Sequence, residues 1–130
     1  MVIRHASLPI SAIFENIEQA ADQEEAINAY IRGPLWRFLN WYNKNDFYEL
    51  STVLDYKPEQ WPDAQIVSYL SELEGLSTYP VQKQKEILEA IMCTLESSDM
   101  MLMENCFTKD LKSYYPGIKW ELFDPYVKVE

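Results

Sequence analysis

Apolar residues recur every three or four positions along most of this chain, the spacing that lines one face of a helix. Ile10, Ile13, Phe14, Ile17 and Ala21 make a first stripe, with Glu15 and Glu18 opposite. Asp22 and Glu25 stand at capping-box spacing, which predicts a second helix with Ile27, Tyr30 and Ile31 behind the cap and Gly33 closing it. Pro34 suits the first turn of a third helix. On its helical wheel Leu35, Phe38, Leu39 and Tyr42 share one arc, and Arg37, Asn40 and Lys44 face away. Trp36 and Trp41 fall on opposite flanks of that arc, so both indoles are expected at the rim of the core, with Arg37 one turn before Trp41 and able to stack on it.

Asp46 and Glu49 repeat the capping-box spacing before Leu50, Val53 and Leu54, predicting a short helix that ends near Lys57-Pro58. The segment KPEQWPD, with its two prolines, reads as a loop. Ile66, Tyr69, Leu70 and Leu73 then share a face up to Gly75. Pro80 opens the best-defined helix, with Ile87, Leu88, Ile91, Met92 and Leu95 inside and Lys85, Glu86, Glu89 and Glu96 outside. Ser97-Ser98-Asp99 reads as a tight break. Met100, Met103, Phe107, Leu111 and Tyr114 continue as one further helix, with Leu102 and Cys106 apolar on a second side, until Pro116-Gly117. The tail from Ile118 to Glu130 alternates Ile118, Trp120 and Leu122 with Lys119 and Glu121, as a short strand or an extended arm would.

These elements predict an all-α single domain over residues 1–130, of five or six antiparallel helices, closed by an extended C-terminal arm at 118–130. The stretch QKEILEAIMCTLESSDMMLMENCFTKDL resembles the helical hairpin of HEAT-type repeats, and a fainter version runs from Asp46 to Gly75. Small acidic, helical bacterial immunity proteins, which neutralise toxins passed between competing cells, are similar in pattern. That resemblance implies an inhibitor of a toxin and assigns no site residue.

Twenty-one acidic and eleven basic side chains give a net charge of −10. Such a balance argues against nucleic-acid or anionic-membrane binding, which needs clustered Lys and Arg, and favours a basic protein partner. No run approaches the ~18 apolar residues of a membrane span, and the N-terminal stretch has no unbroken apolar core of a secretion signal. Cys93 and Cys106, outside any CxxC, read as buried thiols in a reducing cytoplasm.

Enzymatic chemistry is disfavoured by elimination. One histidine, His5, and two cysteines thirteen residues apart cannot build a zinc site, and no Glu-x-x-His pair offers di-iron ligands. Gly33, Gly75 and Gly117 each sit beside a helix end, with no GxxxxGK, GxGxxG or GxSxG motif. Neither a metal nor a cofactor is expected. Binding remains. Acidic residues cluster without basic ones at 10–31, 58–82 and 86–108. Exposed Trp and Tyr among charges are common interface anchors. The predicted contact residues are therefore Trp36, Trp41, Glu59, Trp61, Asp63, Glu72 and Glu74. The function expected is a cytoplasmic immunity or antitoxin protein that occludes a basic toxin or nuclease domain. Its alternatives are a DNA-mimic inhibitor of a nucleic-acid enzyme and a helical scaffold subunit.

Overall fold

The computed structural model describes residues 8–44 and 53–129. His5 and the predicted Asp46–Glu49 cap lie outside them. Among the described residues no β-strand forms, and the fold is all-α as the periodicity predicts. In chain order the helices are α1 (Ile10–Gln19), α2 (Gln23–Tyr30), α3 (Trp36–Lys44), α4 (Leu70–Glu74), α5 (Val81–Thr94), α6 (Ser97–Phe107) and α7 (Leu111–Tyr114). Short 3₁₀ turns lie at Ile66–Tyr69, Leu76–Thr78 and Trp120–Phe123.

Predicted inner faces become the core. Ile10, Ile13, Phe14 and Ile17 of α1, Leu35, Phe38, Leu39 and Tyr42 around α3, and Leu88, Ile91 and Met92 of α5 are all buried in one cluster. An aromatic chain runs through it. The Phe14 ring stacks on Tyr115 at 5.1 Å and meets Trp120 at 5.7 Å and Phe38 at 6.1 Å, while Phe38 meets Trp41 at 5.7 Å.

The start of α2 follows its capping box: the Asp22 carboxylate accepts the Glu25 amide N–H at 3.1 Å. Between α2 and α3 the chain turns sharply, with Arg32 extended and Gly33 at φ 73°, ψ −125°. Only glycine enters that region without strain. Space is not the reason, since nothing lies within 4 Å of where a Gly33 Cβ would stand.

Asp99, fully buried, joins three helix starts. Its Oδ1 accepts the Ser11 amide N–H at 3.2 Å and the Ser11 hydroxyl at 2.6 Å, and its Oδ2 accepts the Ile66 amide N–H at 2.8 Å. Ser11 lies in the first turn of α1, where Pro9 stands at the N-cap with no side chain able to accept. Ile66 opens the first 3₁₀ turn, which Gln65 leaves uncapped. Asp99 belongs to the first turn of α6. One carboxylate thus supplies, across the fold, the acceptors that two neighbouring helices lack locally, at helix ends that favour negative charge.

Several boundaries differ from expectation for identifiable reasons. The break before α6 comes at the extended residues Leu95 and Glu96, so Ser97–Asp99 are helical. The helix predicted to run to Tyr114 stops at Phe107, because Lys109 adopts φ 58°. There the Lys109 N–H reaches Cys106 O at 3.1 Å and the Asp110 N–H reaches Asn105 O at 2.8 Å, a Schellman closure with lysine in the place glycine usually takes. The Lys109 ammonium lies 4.4 Å from the Tyr42 ring centroid and donates to Tyr42 O, which holds that backbone in place. Val53–Tyr56 are not helical. α6 comes closest to α1 and α7, and α5 to the Leu76–Thr78 turn, so the two helices of the expected hairpin take different principal neighbours.

The C-terminal segment is neither strand nor simple arm. Gln23 bridges it like a strand partner, its Nε2 donating to Gly117 O at 2.8 Å and its Oε1 accepting the Lys119 N–H at 2.8 Å. Glu18 Oε2 accepts the Gly117 N–H at 2.9 Å, and a Cβ on Gly117 would stand 2.8 Å from the Glu18 Cγ. Past this clamp the chain coils into the Trp120–Phe123 turn and buries Ile118, Trp120, Phe123 and Val129.

Replacing Asp99 with Ala leaves three buried donors without an acceptor, so Asp99→Ala is expected to destabilise by about 3 kcal/mol or more. Ser11→Ala, which keeps the amide bond, should cost about 1 kcal/mol and almost nothing in an Asp99→Ala background. Urea unfolding of the four proteins measures this; additive losses would refute the shared node.

Candidate functional site

The predicted contact residues separate into three places. Glu59, Trp61 and Asp63 lie on the loop that leads into the Ile66 turn. Helix α5 ends with carbonyls that no residue of its own can satisfy. The loop supplies the donors: the Glu59 N–H reaches Cys93 O at 2.9 Å and the Ala64 N–H reaches Thr94 O at 2.9 Å. In return Ala64 O accepts the Glu96 N–H at 2.8 Å. The loop is fixed at both ends to a fourteen-residue helix, and Pro62 stiffens its middle. At its tip Trp61 is 81% exposed, with Glu59 and Asp63 also exposed on either side. An indole held out in water by a pinned backbone has most of its ordering cost met before any partner arrives.

Glu72 and Glu74 lie on α4. Glu72 is exposed and borders a shallow cleft of about 340 Å³ with Ser71, Tyr79 and Ile87. Glu74 is engaged within the fold: the Arg37 Nε donates to its Oε2 at 3.3 Å and the Arg37 Nη2 to its Oε1. That hydrogen-bonded pairing holds the Glu74 carboxyl below its usual range and raises the Arg37 guanidinium. Because the Glu74 value is depressed, its contribution is present above the ordinary glutamate value and is lost as pH falls; exposure and solvent screening keep it small. Arg37 faces Glu74, not Trp41 as the helical spacing suggests.

The two tryptophans of α3 have opposite fates. Trp41 is 3% exposed and belongs to the core, which corrects its expected place at the rim. α4 packs on α3, and Trp41 borders a recess with Glu74 of α4 and Ser77, a tertiary neighbourhood that a single helical wheel does not contain. Trp36, on the other flank, is 47% exposed. It opens onto a cleft of about 430 Å³ beside Asn28, Arg32, Gly33, Arg37 and Tyr126. Arg32 and Tyr126, missed in the sequence, line that cleft together from distant parts of the chain, and no local pattern links them.

Carboxylates of the 86–108 stretch are largely structural. Asp99 is buried, Glu89 pairs with Lys85 at 3.4 Å and accepts the Asp55 N–H, and Glu104 accepts the Tyr56 hydroxyl. Glu96 is raised above its usual range by its own desolvation and by the charges of Asp99 and Glu15. Both cysteines are free thiols, and burial pushes the Cys106 thiol far above the range in which it would react. Among the described residues no three His, Cys, Asp or Glu side chains converge in a metal-holding group, and no helix is long and apolar enough to cross a membrane.

Compared with known protein families, curated proteins and solved structures, this chain matches none.

The division of the tryptophans is directly measurable. Trp41→Ala is expected to destabilise by about 3–5 kcal/mol, as for other large core aromatics. Trp61→Ala should change stability by no more than about 0.5 kcal/mol, as for an exposed residue without structural partners. Thermal and urea melts of the two variants give both values, and comparable losses would contradict the assignment.

Proposed function

We propose that this chain is a binding protein of the immunity or antitoxin type, which occludes a basic protein such as a toxin or nuclease domain. One observation carries the reading: Trp61, 81% exposed, stands between exposed Glu59 and Asp63 on a loop pinned to the end of α5. Carboxylates at the rim attract a cationic surface and speed encounter, while a desolvated indole slows escape. An arginine of the partner can meet both, pairing with a carboxylate and stacking on the indole face. Charge supports the same direction. Of the acidic excess behind the −10 charge, ion pairs between described residues engage Glu74, Glu86 and Glu89, which leaves Glu59, Asp63 and Glu72 available.

Occlusion requires no chemistry from this chain. A basic site that grips nucleic-acid phosphates offers the electrostatic complement of a carboxylate-flanked anchor, so occupying it excludes the substrate. Trp36 and Glu74 are released from this role, the first by its separate cleft and the second by Arg37. Trp41 is released by burial.

The test begins with a low-salt pull-down from the organism's own lysate, eluted by a salt gradient, followed by kinetics on the purified pair. Glu59→Lys with Asp63→Lys should slow association and flatten its salt dependence, and Trp61→Ala should speed dissociation about thirtyfold, the scale of an interface hot spot. Elution of no basic protein, or a pair indifferent to these variants, would sink the proposal.

A further inference from the structure

The Trp36 cleft differs in chemistry from the rest of the molecule. The chain has three arginines against a net charge of −10, yet two of them, Arg32 and Arg37, border this one cleft, and none of its lining residues is acidic. It is a local cationic site on an acidic protein. Its origin is the Gly33 turn: φ 73° there breaks the path from α2 to α3, and the open space around the glycine leaves the cleft unfilled. Tyr126, delivered by the C-terminal segment, forms the far wall, its hydroxyl donating to Asn28 Oδ1 at 2.9 Å. Two aromatic side chains, Trp36 and Tyr126, thus line the cleft while each remains at least 40% exposed.

Charge identifies the occupant more closely. Arg37 already serves Glu74. Arg32 has no ion-pair partner among the described residues, so its guanidinium can bind an anionic group in a two-pronged contact. The indole of Trp36 and the phenol ring of Tyr126 offer apolar faces to a flat ring. A cleft of about 430 Å³ lies within the size range of small-ligand sites. We infer that the cleft between α2, α3 and the C-terminal segment binds a small molecule that joins a planar aromatic ring to a phosphate or carboxylate, with Arg32 holding the anion and Trp36 and Tyr126 the ring. The site is separate from the Trp61 loop, and its occupancy does not rest on the protein-binding role proposed above.

Two probes separate the anions: AMP carries the phosphate form of this chemistry and indole-3-acetate the carboxylate form. In ¹H–¹⁵N spectra of the full chain, at least one should shift the Gly33 amide and the Trp36 indole N–H with a saturable profile, and the one that does so names the anion. Whichever binds, its uncharged counterpart, adenosine or indole-3-methanol, should bind about tenfold more weakly. Arg32→Gln should reproduce that tenfold loss for the anion and leave the uncharged ring unaffected. Trp36→Ala, at a half-exposed position outside the buried core, should weaken both. Trp61→Ala is the control and should change neither. If both anions at millimolar concentration leave the Gly33 and Trp36 signals in place, or if Arg32→Gln binds them as the parent does, the inference is overturned.

Discussion

A buried carboxylate is costly to desolvate, by several kcal/mol even after the protein relaxes around it, and Asp99 is retained at the centre of this fold. Its cost is offset by geometry. Three donors converge on its two oxygens, two from Ser11 and one from the Ile66 backbone, and each backbone donor belongs to a helix start that has no cap of its own. Charged hydrogen bonds in a low-dielectric interior are stronger than neutral ones, and the positive ends of helices add to them. The consequence is cooperative. The Ser11 and Ile66 amides gain a buried acceptor when α6 packs against both, so the segments near positions 11, 66 and 99 stabilise one another. Glu96, three residues before Asp99, is raised above its usual range first by its own desolvation and then by the charges of Asp99 and Glu15. Its raised value means the folded state favours its protonated form, so its contribution is full below the ordinary glutamate value and fades as pH rises through the folded one.

From this node follows the presentation of the loop. Fixing Ile66 fixes the exit of the 58–65 segment, and the α5 carbonyls of Cys93 and Thr94 fix its path. The same backbone groups that would be orphans at a helix end become the mount for Trp61. Stability and presentation are thereby coupled: loosening the Asp99 node should free the loop before it unfolds α5, whose apolar face of Leu88, Ile91 and Met92 stays packed.

Much of this architecture is legible in the residues. Helix positions, inner faces and the Asp22 cap follow from period and local chemistry, because those signals act over one or two turns. What the pattern misreads is tertiary. Asp99 looks like part of a polar break because Ser97-Ser98 precedes it, although an acid in a first turn flanked by Met100, Leu102 and Met103 is also what a buried acceptor requires. Trp41 sits on the flank of an apolar arc in either case; tertiary packing, not the wheel, decides that it is covered. Lys109 ends a helix in a conformation that favours glycine, held by a contact to Tyr42 that lies far away in sequence. Of the predicted contact residues, Trp36, the Trp61 trio, Glu72 and Glu74 remain exposed, and Trp41 is taken into the core.

Net charge is the least informative of the global signals once side chains have positions. A value of −10 describes the distant field, which governs encounter, but a bound group responds to charges within about a Debye length of roughly 10 Å. Trp61 and Trp36 are both exposed indoles on this chain, and their immediate surroundings have opposite sign: Glu59 and Asp63 beside one, Arg32 and Arg37 beside the other. The aromatic surface is similar and the local charge is not. Under the proposed function a cationic protein surface would be drawn to the first, where carboxylates flank the ring. It would be repelled locally at the second, where Arg32 is unpaired among the described residues and Arg37 is neutralised by Glu74 outside the cleft. The same fold therefore exposes two indoles in surroundings of opposite charge, so the two proposed sites would not compete for one ligand: the contact of α3 with α4 pairs Arg37 with Glu74, while Arg32 has no ion-pair partner among the described residues.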